Sequence, residues 1–320
     1  MTEAYFEILR AGTNSSIQDQ GRKNLYHIGI TISGAMDQKI FKISNALVDN
    51  NLNEGVIEFA YQGPLLKLKN GSVNFAITGN IDFNIIRKNS IIEKGRCFQN
   101  YFLDKDEELD LIYTKNSVFG YLAVEGGFKI EKVWNSYSTN TKAKIGPNNG
   151  EKFSIGEKIY LKKPEVKNFE KKKIEYNNSI ATTIRTIKGT NFDYFSKEAK
   201  NNFFNEEYQV TNLSDRMGMR LEGPKLENIT NTNIKSEGLV KGVIQVPADG
   251  NPIIMFSDHG TIGGYPKIAV LATADHDRAA QFTPGTKIKF NMVDLSEAEV
   301  MFQNYLKITK SYLNKINEIN

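Results

Sequence analysis

Apolar and polar residues alternate along most of this chain, in short runs separated by turn residues. Val73 to Thr78 alternates in part and stops at Gly79-Asn80. Leu109 to Tyr113 and Val118 to Val124 follow, the second ending in Glu125-Gly126-Gly127. Lys158 to Leu161 and Lys287 to Phe290 each come after a glycine turn, and Ile253 to Phe256 and Ile268 to Ala272 are apolar runs. A period near two, with β-branched and aromatic residues between turn signals, predicts an antiparallel, mainly β fold (β-rich α+β) with a few peripheral helices.

Three segments carry helical spacing instead. Ile40, Ile43 and Leu47 form one stripe within residues 36–48, stopped by Asn50-Asn51. Phe192, Phe195, Ala199 and Phe203 share a face over residues 192–204. Near the end, Ser296 and Glu299 have capping-box spacing, in which a hydroxyl takes an orphan amide and the glutamate reaches back. Val300, Tyr305, Leu306, Ile308 and Leu313 extend that helix to about residue 316. Lys162-Lys163-Pro164 and Lys171-Lys172-Lys173 bracket a polar stretch that reads as a solvated connection. The expected domains are therefore 1–165 and 179–320, joined by a linker over about 166–178.

Composition narrows the classes. A length of 320 residues suits about two domains. Hydrophobic residues at 40%, charged residues at 24% and a net charge of +4 describe a soluble globular chain. Lysines alternate with acids, so no basic stripe for nucleic acid is expected. The lone Cys97 excludes an intrachain disulfide and reads as a structural thiol. No apolar run approaches the roughly 20 residues of a membrane span. The start lacks a basic, apolar leader. A cytoplasmic chain without membrane contact is expected.

Candidate chemistry gathers at strand ends. Ile253 to Phe256 delivers Ser257, Asp258, His259 and Thr261 to the turn Gly263-Gly264-Tyr265-Pro266-Lys267. Glycines let backbone approach a ligand closely, and Pro266 stiffens the exit. A hairpin with polar tips has the same pattern, and both readings stay open. Ser214-Asp215-Arg216-Met-Gly218-Met-Arg220 sets two arginines around a glycine. They either clamp an anion or pair with Asp215 and Glu222. Arg22 either forks onto a carboxylate or phosphate or pairs with Asp19 to staple a loop. Ser33 and Asp37 precede the first helix, where free amides suit an anion or carbonyl oxygen and where either side chain also suits a cap. The three histidines, His27, His259 and His276, lack metal-ligand spacing, so no metal is expected. No GxxxxGK[ST] loop and no carrier lysine flanked by methionines are present.

Taken in order, these motifs resemble one family. They are Ser16-Ile-Gln-Asp19-Gln-Gly21-Arg22, His27-Ile-Gly29, Ser33-Gly-Ala-Met-Asp37, Asn45-Ala-Leu-Val48, Tyr121-Leu-Ala-Val-Glu-Gly126-Gly127 and Ser136-Tyr-Ser138-Thr139. Ser214 to Pro224, Gly242-Val-Ile-Gln245-Val-Pro247 and Gly263 to Lys267 complete the set. The family contains the C subunit of 5-oxoprolinase, the KipA-type regulators and the second carboxyltransferase-like half of urea amidolyase (the allophanate hydrolase subunit 2 family). The resemblance covers about residues 18–290 and implies two cyclophilin-like β-barrel units. It implies one component of a heteromeric, ATP-dependent 5-oxoprolinase that opens 5-oxo-L-proline to L-glutamate. The partners would be a B-type (KipI-like) protein and an A-type protein of the same complex, with ATP shared with a partner.

The alternatives are a biotin-dependent carboxyltransferase half, with biotin on another chain, and a KipA-type antagonist of a kinase inhibitor. Lys267, Asp258 and Asp215 are the expected catalytic groups. Arg22, Asp19, Ser33, Asp37, Ser214, Arg216, Arg220, Gln245, Thr261, Gly263, Gly264 and Tyr265 are expected to bind substrate, with Arg216 or Arg22 on its carboxylate. Gln245, Asp258, Lys267 and Arg216 are expected around one concave surface. His259 departs from the family pattern. So do Asn135 and Tyr137, which fall where the family commonly has Gly-Ser-Arg-Ser.

Overall fold

The computed structural model describes residues 3–163, 165–166, 168–177, 181–230 and 233–317. The chain divides into two compact units, one made of Met1–Arg22, Ser33–Asn178 and Thr309–Asn320, the other of Lys23–Ile32 and Ser179–Ile308. This division differs from a single break at 166–178 in two places. Lys23–Ile32 joins the second unit, and the last turns of the C-terminal helix join the first. A break argued from local composition finds only one crossing of the chain and misses the rest.

In the first unit one sheet runs β11 (Lys158–Tyr160), β1 (Tyr5–Arg10), β4 (Leu65–Lys69), β9 (Glu108–Thr114), β6 (Ile81–Ile86), β7 (Ile92–Lys94). The other runs β2 (Ser16–Gln18), β3 (Val56–Ala60), β10 (Phe119–Val124), β5 (Ser72–Thr78), β8 (Gln99–Asp104). All neighbours are antiparallel. Phe6, Leu66, Phe83 and Leu109 from the first sheet and Ile57, Phe75, Leu103 and Leu122 from the second share one buried core.

β1 and β6 keep the alternation of a sheet with one wet face, whereas β3, β5 and β10 are buried at every residue. For β5 and β10 the reason is α1 (Gln38–Ala46), which covers their outer face. Thr78 Oγ1 donates to the Ile40 carbonyl at 2.8 Å, and the Phe41 ring meets Tyr121 edge-on at 6.4 Å. Asp37 caps this helix by accepting from Ile40 N at 3.2 Å.

Lys171 and Lys173 of the expected linker are exposed, as a solvated connection requires, but Lys172 is not; residues 167 and 178 of that stretch lie outside the described residues. Lys172 is buried and its Nζ pairs with Asp49 at 2.5 Å. Asn100 N donates to Lys172 O, and Ile174 N to Phe98 O, so 172–174 cover the free edge of β8 like a further strand. Lys171 lies 3.9 Å above the Tyr101 ring and donates to Asn100 O at 2.7 Å. An unpaired strand edge is a stronger sink for backbone hydrogen bonds than a charge run is a deterrent.

The second unit is a closed barrel. Its order is β12 (Thr183–Lys188), β19 (Lys267–Leu271), β16 (Val243–Gln245), β17 (Ile253–Met255), β14 (Gly218–Glu222), β13 (Tyr208–Val210), β20 (Lys287–Met292). A parallel pairing of β12 with β20 closes it. A two-stranded ribbon outside the barrel joins β15 (Glu237–Gly238) to β18 (Ile262–Gly263). α2 (Lys197–Asn205) packs on β20, with Phe203 stacked on Phe290 at 4.4 Å.

α3 (His276–Ala280) follows buried Asp275. That carboxylate accepts from Arg185 Nε at 2.9 Å, from Arg185 N at 2.8 Å and from Arg278 Nη2 at 2.7 Å. α4 (Leu295–Asn317) is capped two residues earlier than the sequence pattern suggests. Asp294 N donates to Glu297 at 2.9 Å and Glu297 N donates to Asp294 at 2.8 Å. An aspartate fills the cap role as well as a serine, and its reciprocal glutamate follows at the same spacing. No helix among the described residues is long and apolar enough to cross a membrane.

Two outcomes follow for the second unit. Asp275→Ala removes the buried carboxylate that ties part-exposed Arg185 and Arg278 together and should cost about 2–3 kcal/mol in urea unfolding. His276 is half-buried with its Nε2 out of reach of water, and desolvation pushes its imidazole down to about 4 from 6.5. The folded protein therefore binds fewer protons than the unfolded chain between those values. That stability is full above pH 6.5 and is lost as pH falls towards 4, by about 3 kcal/mol at most. Unfolding curves of His276→Gln should lose most of this slope, and an unchanged slope would assign it elsewhere.

Candidate functional site

Lys267 opens β19, and the register against β16 explains its direction. Ile244 pairs with Ala269 but Gln245 pairs with Lys267, a bulge that gives β19 one extra residue there. Bulges re-aim side chains. The Lys267 side chain is 3% exposed, and its Nζ lies 2.6 Å from Glu237 Oε2. Asn191 brackets the same residue: its Oδ1 accepts from Lys267 N at 3.1 Å and lies 3.5 Å from Nζ, and its N donates to Lys267 O. The hydrogen bond from Lys267, against the opposing effect of partial burial, holds the Glu237 carboxyl below its ordinary range.

Gln245 Nε2 donates to Tyr265 O at 3.2 Å. A Cβ on Gly263 would stand 2.7 Å from Gln245 Nε2 and 2.8 Å from Leu239 Cδ1, so a larger residue there displaces the Gln245 amide or the Leu239 side chain. The structure thus gathers Lys267, Gln245, Gly263 and Tyr265 and adds Glu237 and Asn191.

Arg216 and Asp258 form their own pair in the same unit. Arg216 Nε and Nη2 meet the Asp258 carboxylate at 2.8 and 3.1 Å, a forked contact. They lie past the ends of β14 and β17 that carry Gly218 and Met255. Gln245 and Lys267 align instead with Ile253 and Arg220, at the other end of those strands. The register therefore does not set Arg216 and Asp258 beside Lys267.

Ser214 and Asp215 shape the turn before β14. Ser214 Oγ donates to Thr211 O, and Asp215 Oδ1 accepts from Met217 N at 2.8 Å. Arg220 and Tyr265 are exposed, and the Thr261 carbonyl accepts from Leu239 N. His259 is buried, with Nδ1 2.6 Å from Gly260 O and Nε2 3.2 Å from Tyr26 Oη. A carbonyl only accepts, so Nδ1 carries the proton and Nε2 accepts from Tyr26. Burial lowers this imidazole's pKa and keeps it neutral.

The first unit holds a second buried polar cluster. The Asp19 carboxylate accepts from Gly21 N, Ser136 Oγ and Tyr137 N at 2.7 Å and from Ser138 Oγ at 2.5 Å. Arg22, 2% exposed, donates to the Ser138 carbonyl. Ser33 Oγ accepts from Asn140 Nδ2 at 3.1 Å. A Cβ on Gly34 (φ 84°) would meet Gly21 N at 2.8 Å, so the loop before α1 lies against the loop after β2. Glu58 Oε2 accepts from Met36 N and Tyr121 Oη, each at 2.8 Å, and Asp37 N donates to Tyr121 Oη.

Asp19, Arg22, Ser33 and Asp37 are therefore neighbours, and Glu58 and Asn140 join them. Arg22 and Asp19 meet through Ser138 and do not pair directly. Asn135 sits at φ 60°, a left-handed position that asparagine tolerates, as glycine would. The Tyr137 ring lies under the ammonium groups of Lys132 and Lys162, at 4.8 and 4.9 Å. Of these two cations Lys162 is paired with Glu54 at 2.6 Å.

Asn191, Glu237, Glu58 and Asn140 were missed in the sequence. Glu237 and Asn191 lie far from Lys267 in the chain, in segments without a motif, and only the barrel register joins them. Glu58 alternates like any strand residue. A surface cavity of about 450 Å³, lined by Arg87, Tyr101, Phe102, Asp104, Phe169 and Lys171 among others, includes none of the predicted site residues.

Comparison with known proteins agrees with this architecture. Residues 28–292 match the model of the family described as "Carboxyltransferase domain, subdomain A and B". The chain is 31% identical to the C subunit of 5-oxoprolinase from Escherichia coli strain K12 over 295 residues, 91% of this chain and 92% of that protein. It is 30% identical to the C subunit of the Haemophilus influenzae 5-oxoprolinase over 313 residues, 98% of each. In fold it matches the crystal structure of the K. lactis urea amidolyase with a TM-score of 0.87 at 24% identity, covering 98% of this chain and 20% of that one. The barrel, the strand-end glycines and the near-complete span of these matches have one reading: this chain belongs to the carboxyltransferase domain family.

Proposed function

We propose that the chain is a subunit of a heteromeric, ATP-dependent 5-oxoprolinase that converts 5-oxo-L-proline to L-glutamate in the cytoplasm. The observation that carries this reading is about 30% identity to the C subunits of two 5-oxoprolinases over more than nine-tenths of both chains. Relatives so named imply other subunits, and the partners proposed are the A-type and B-type proteins. The lactam amide is resonance-stabilised. Transfer of the γ-phosphoryl group of ATP to its oxygen gives an imidoyl phosphate and ADP. Water adds to that carbon, the ring nitrogen takes a proton and leaves, and γ-glutamyl phosphate remains. A second water releases phosphate and glutamate. ATP is shared with a partner protein in this proposal.

Lys267 is the group of this chain best suited to meet the substrate's negative oxygen. It is a buried cation at a strand end, beside glycine turns and the Gln245 amide. In a dry site such a charge acts far more strongly than in water. Arg216 and Arg22 already hold Asp258 and the Ser138 carbonyl, so they serve the carboxylate only after exchanging those contacts. Asp258 holds Arg216 in place, and Asp215 shapes the turn that carries it.

A second reading, transfer of a carboxyl group from biotin carried on another chain, is favoured by the family description and by the urea amidolyase fold match. The two differ in what they need. Co-expressed with its partner chains, this chain should support glutamate formation that depends on ATP and is indifferent to avidin and bicarbonate. Inhibition by avidin would favour the second reading.

Lys267→Ala should lower kcat/KM for 5-oxoproline about 100-fold, about 2.7 kcal/mol of transition-state stabilisation. Its melting temperature should stay within a few degrees of the parent. Parent-like turnover in that variant would remove Lys267 from the site.

A further inference from the structure

The ion pair at Lys267 is lopsided. The lysine side chain is 3% exposed, whereas that of its partner Glu237 is 43% exposed. The cation belongs to the barrel wall, and the carboxylate reaches it from the solvent side. Glu237 rides on the two-residue strand β15, both residues of which are exposed. β15 and β18 form a sheet of their own, apart from the barrel.

Among the described residues, the β15 arm is held by its two-residue ladder to β18 and by few contacts besides. Ile234 N donates to Gly264 O and Leu239 N to Thr261 O, each at 2.9 Å, and Leu239 is its buried apolar anchor. The floor beneath is different. Asn191 brackets Lys267 through both backbone and side chain, and Gln245 is tied to Tyr265 O. A rigid floor carrying a buried cation is thus covered by a carboxylate on a loosely anchored strap.

A charged lysine in this position needs an anion, because an unpaired buried charge is strongly destabilising. Exchanging one carboxylate for another keeps the pair intact, whereas a neutral ligand offers no replacement. We infer that Glu237 is an internal stand-in for a small carboxylate ligand, which takes its place against Lys267 as residues 234–239 lift and Glu237 turns to solvent. The inference rests on the reading that Lys267 meets the substrate's negative charge. The strap then acts as a gate that small acids open and neutral lactams do not. Glu237 also lowers the apparent affinity by competing for the cation.

Calorimetric titration of the full chain tests this, with 5-oxo-L-proline, acetate and neutral 2-pyrrolidone as probes. Glu237→Gln keeps the shape but removes the competing charge. It should bind 5-oxoproline and acetate roughly tenfold more tightly than the parent, with 2-pyrrolidone unchanged. Lys267→Met should abolish the gain. Unchanged or weaker carboxylate binding in Glu237→Gln overturns the inference. A gain for acetate but not for 5-oxoproline keeps the exchange and instead removes 5-oxoproline as the substrate.

The unaltered protein gives an independent reading should the variant fold poorly. High acetate, against chloride at equal ionic strength, should speed hydrogen exchange at the Ile234 and Leu239 amides roughly tenfold. The Val246 amide, bonded to Pro266 O within the floor, should not change. Unchanged exchange at Ile234 and Leu239 refutes the lifting strap.

Discussion

Burying the Lys267 ammonium constrains everything around it. The charge is tolerable there because Glu237 and Asn191 meet it, and each partner imposes its own geometry. Asn191 has to follow Gly189, where a Cβ would stand 2.2 Å from Lys267 O. Glu237 has to arrive on a ribbon paired with Gly263, where a larger residue would push the Gln245 amide aside. The bulge opposite Gln245 turns the lysine towards both. Change any one of these and the cation loses either its direction or its counter-charge.

The first unit meets an equivalent constraint with opposite sign. There the buried charge is the Asp19 carboxylate, and the four donors that satisfy it come from its own loop and from Ser136 to Ser138. A carboxylate with that many donors is held as firmly as a side chain in a close-packed core. Arg22 and the loop around Ser33 and Gly34 are organised around it. The two units thus use the same device, a buried charge that fixes distant loops, at residues with different chemistry.

A strand with one wet face writes its period into the sequence, and β9 and β20 were legible in that way, whereas β1 and β6 carry the same period and were not singled out. β5 and β10 were legible only as apolar runs, since α1 dries their second face and erases the alternation. The helices at 38–46 and 197–205 were visible as stripes, and the C-terminal one was read with its cap two residues late. Lys171 to Lys173 misled because charge is a local property, while the open edge of β8 that captures them is not. At the site, Lys267, Gln245 and Gly263 stood out through glycine and proline punctuation. Glu237 and Asn191 had no such marker. The expected company of Lys267 with Arg216 and Asp258 came from motif order, which carries no information about which end of a strand a residue occupies.

The parallel pairing that closes the barrel also says something about how the chain is made. Thr183 pairs with Lys289 and Ile184 with Phe290, so the first strand of the barrel waits for the last. During synthesis, β12 leaves the ribosome long before β20 exists, and its edge stays open meanwhile. Contacts so distant in sequence are slow to form and leave unpaired edges exposed to aggregation. The first unit waits longer still, because its last segment begins at Thr309. Tyr312, which packs on Tyr176 at 5.1 Å, belongs to that segment. Neither unit is complete until these late residues have emerged, so a chain stalled before β20 would release two open structures rather than one finished domain.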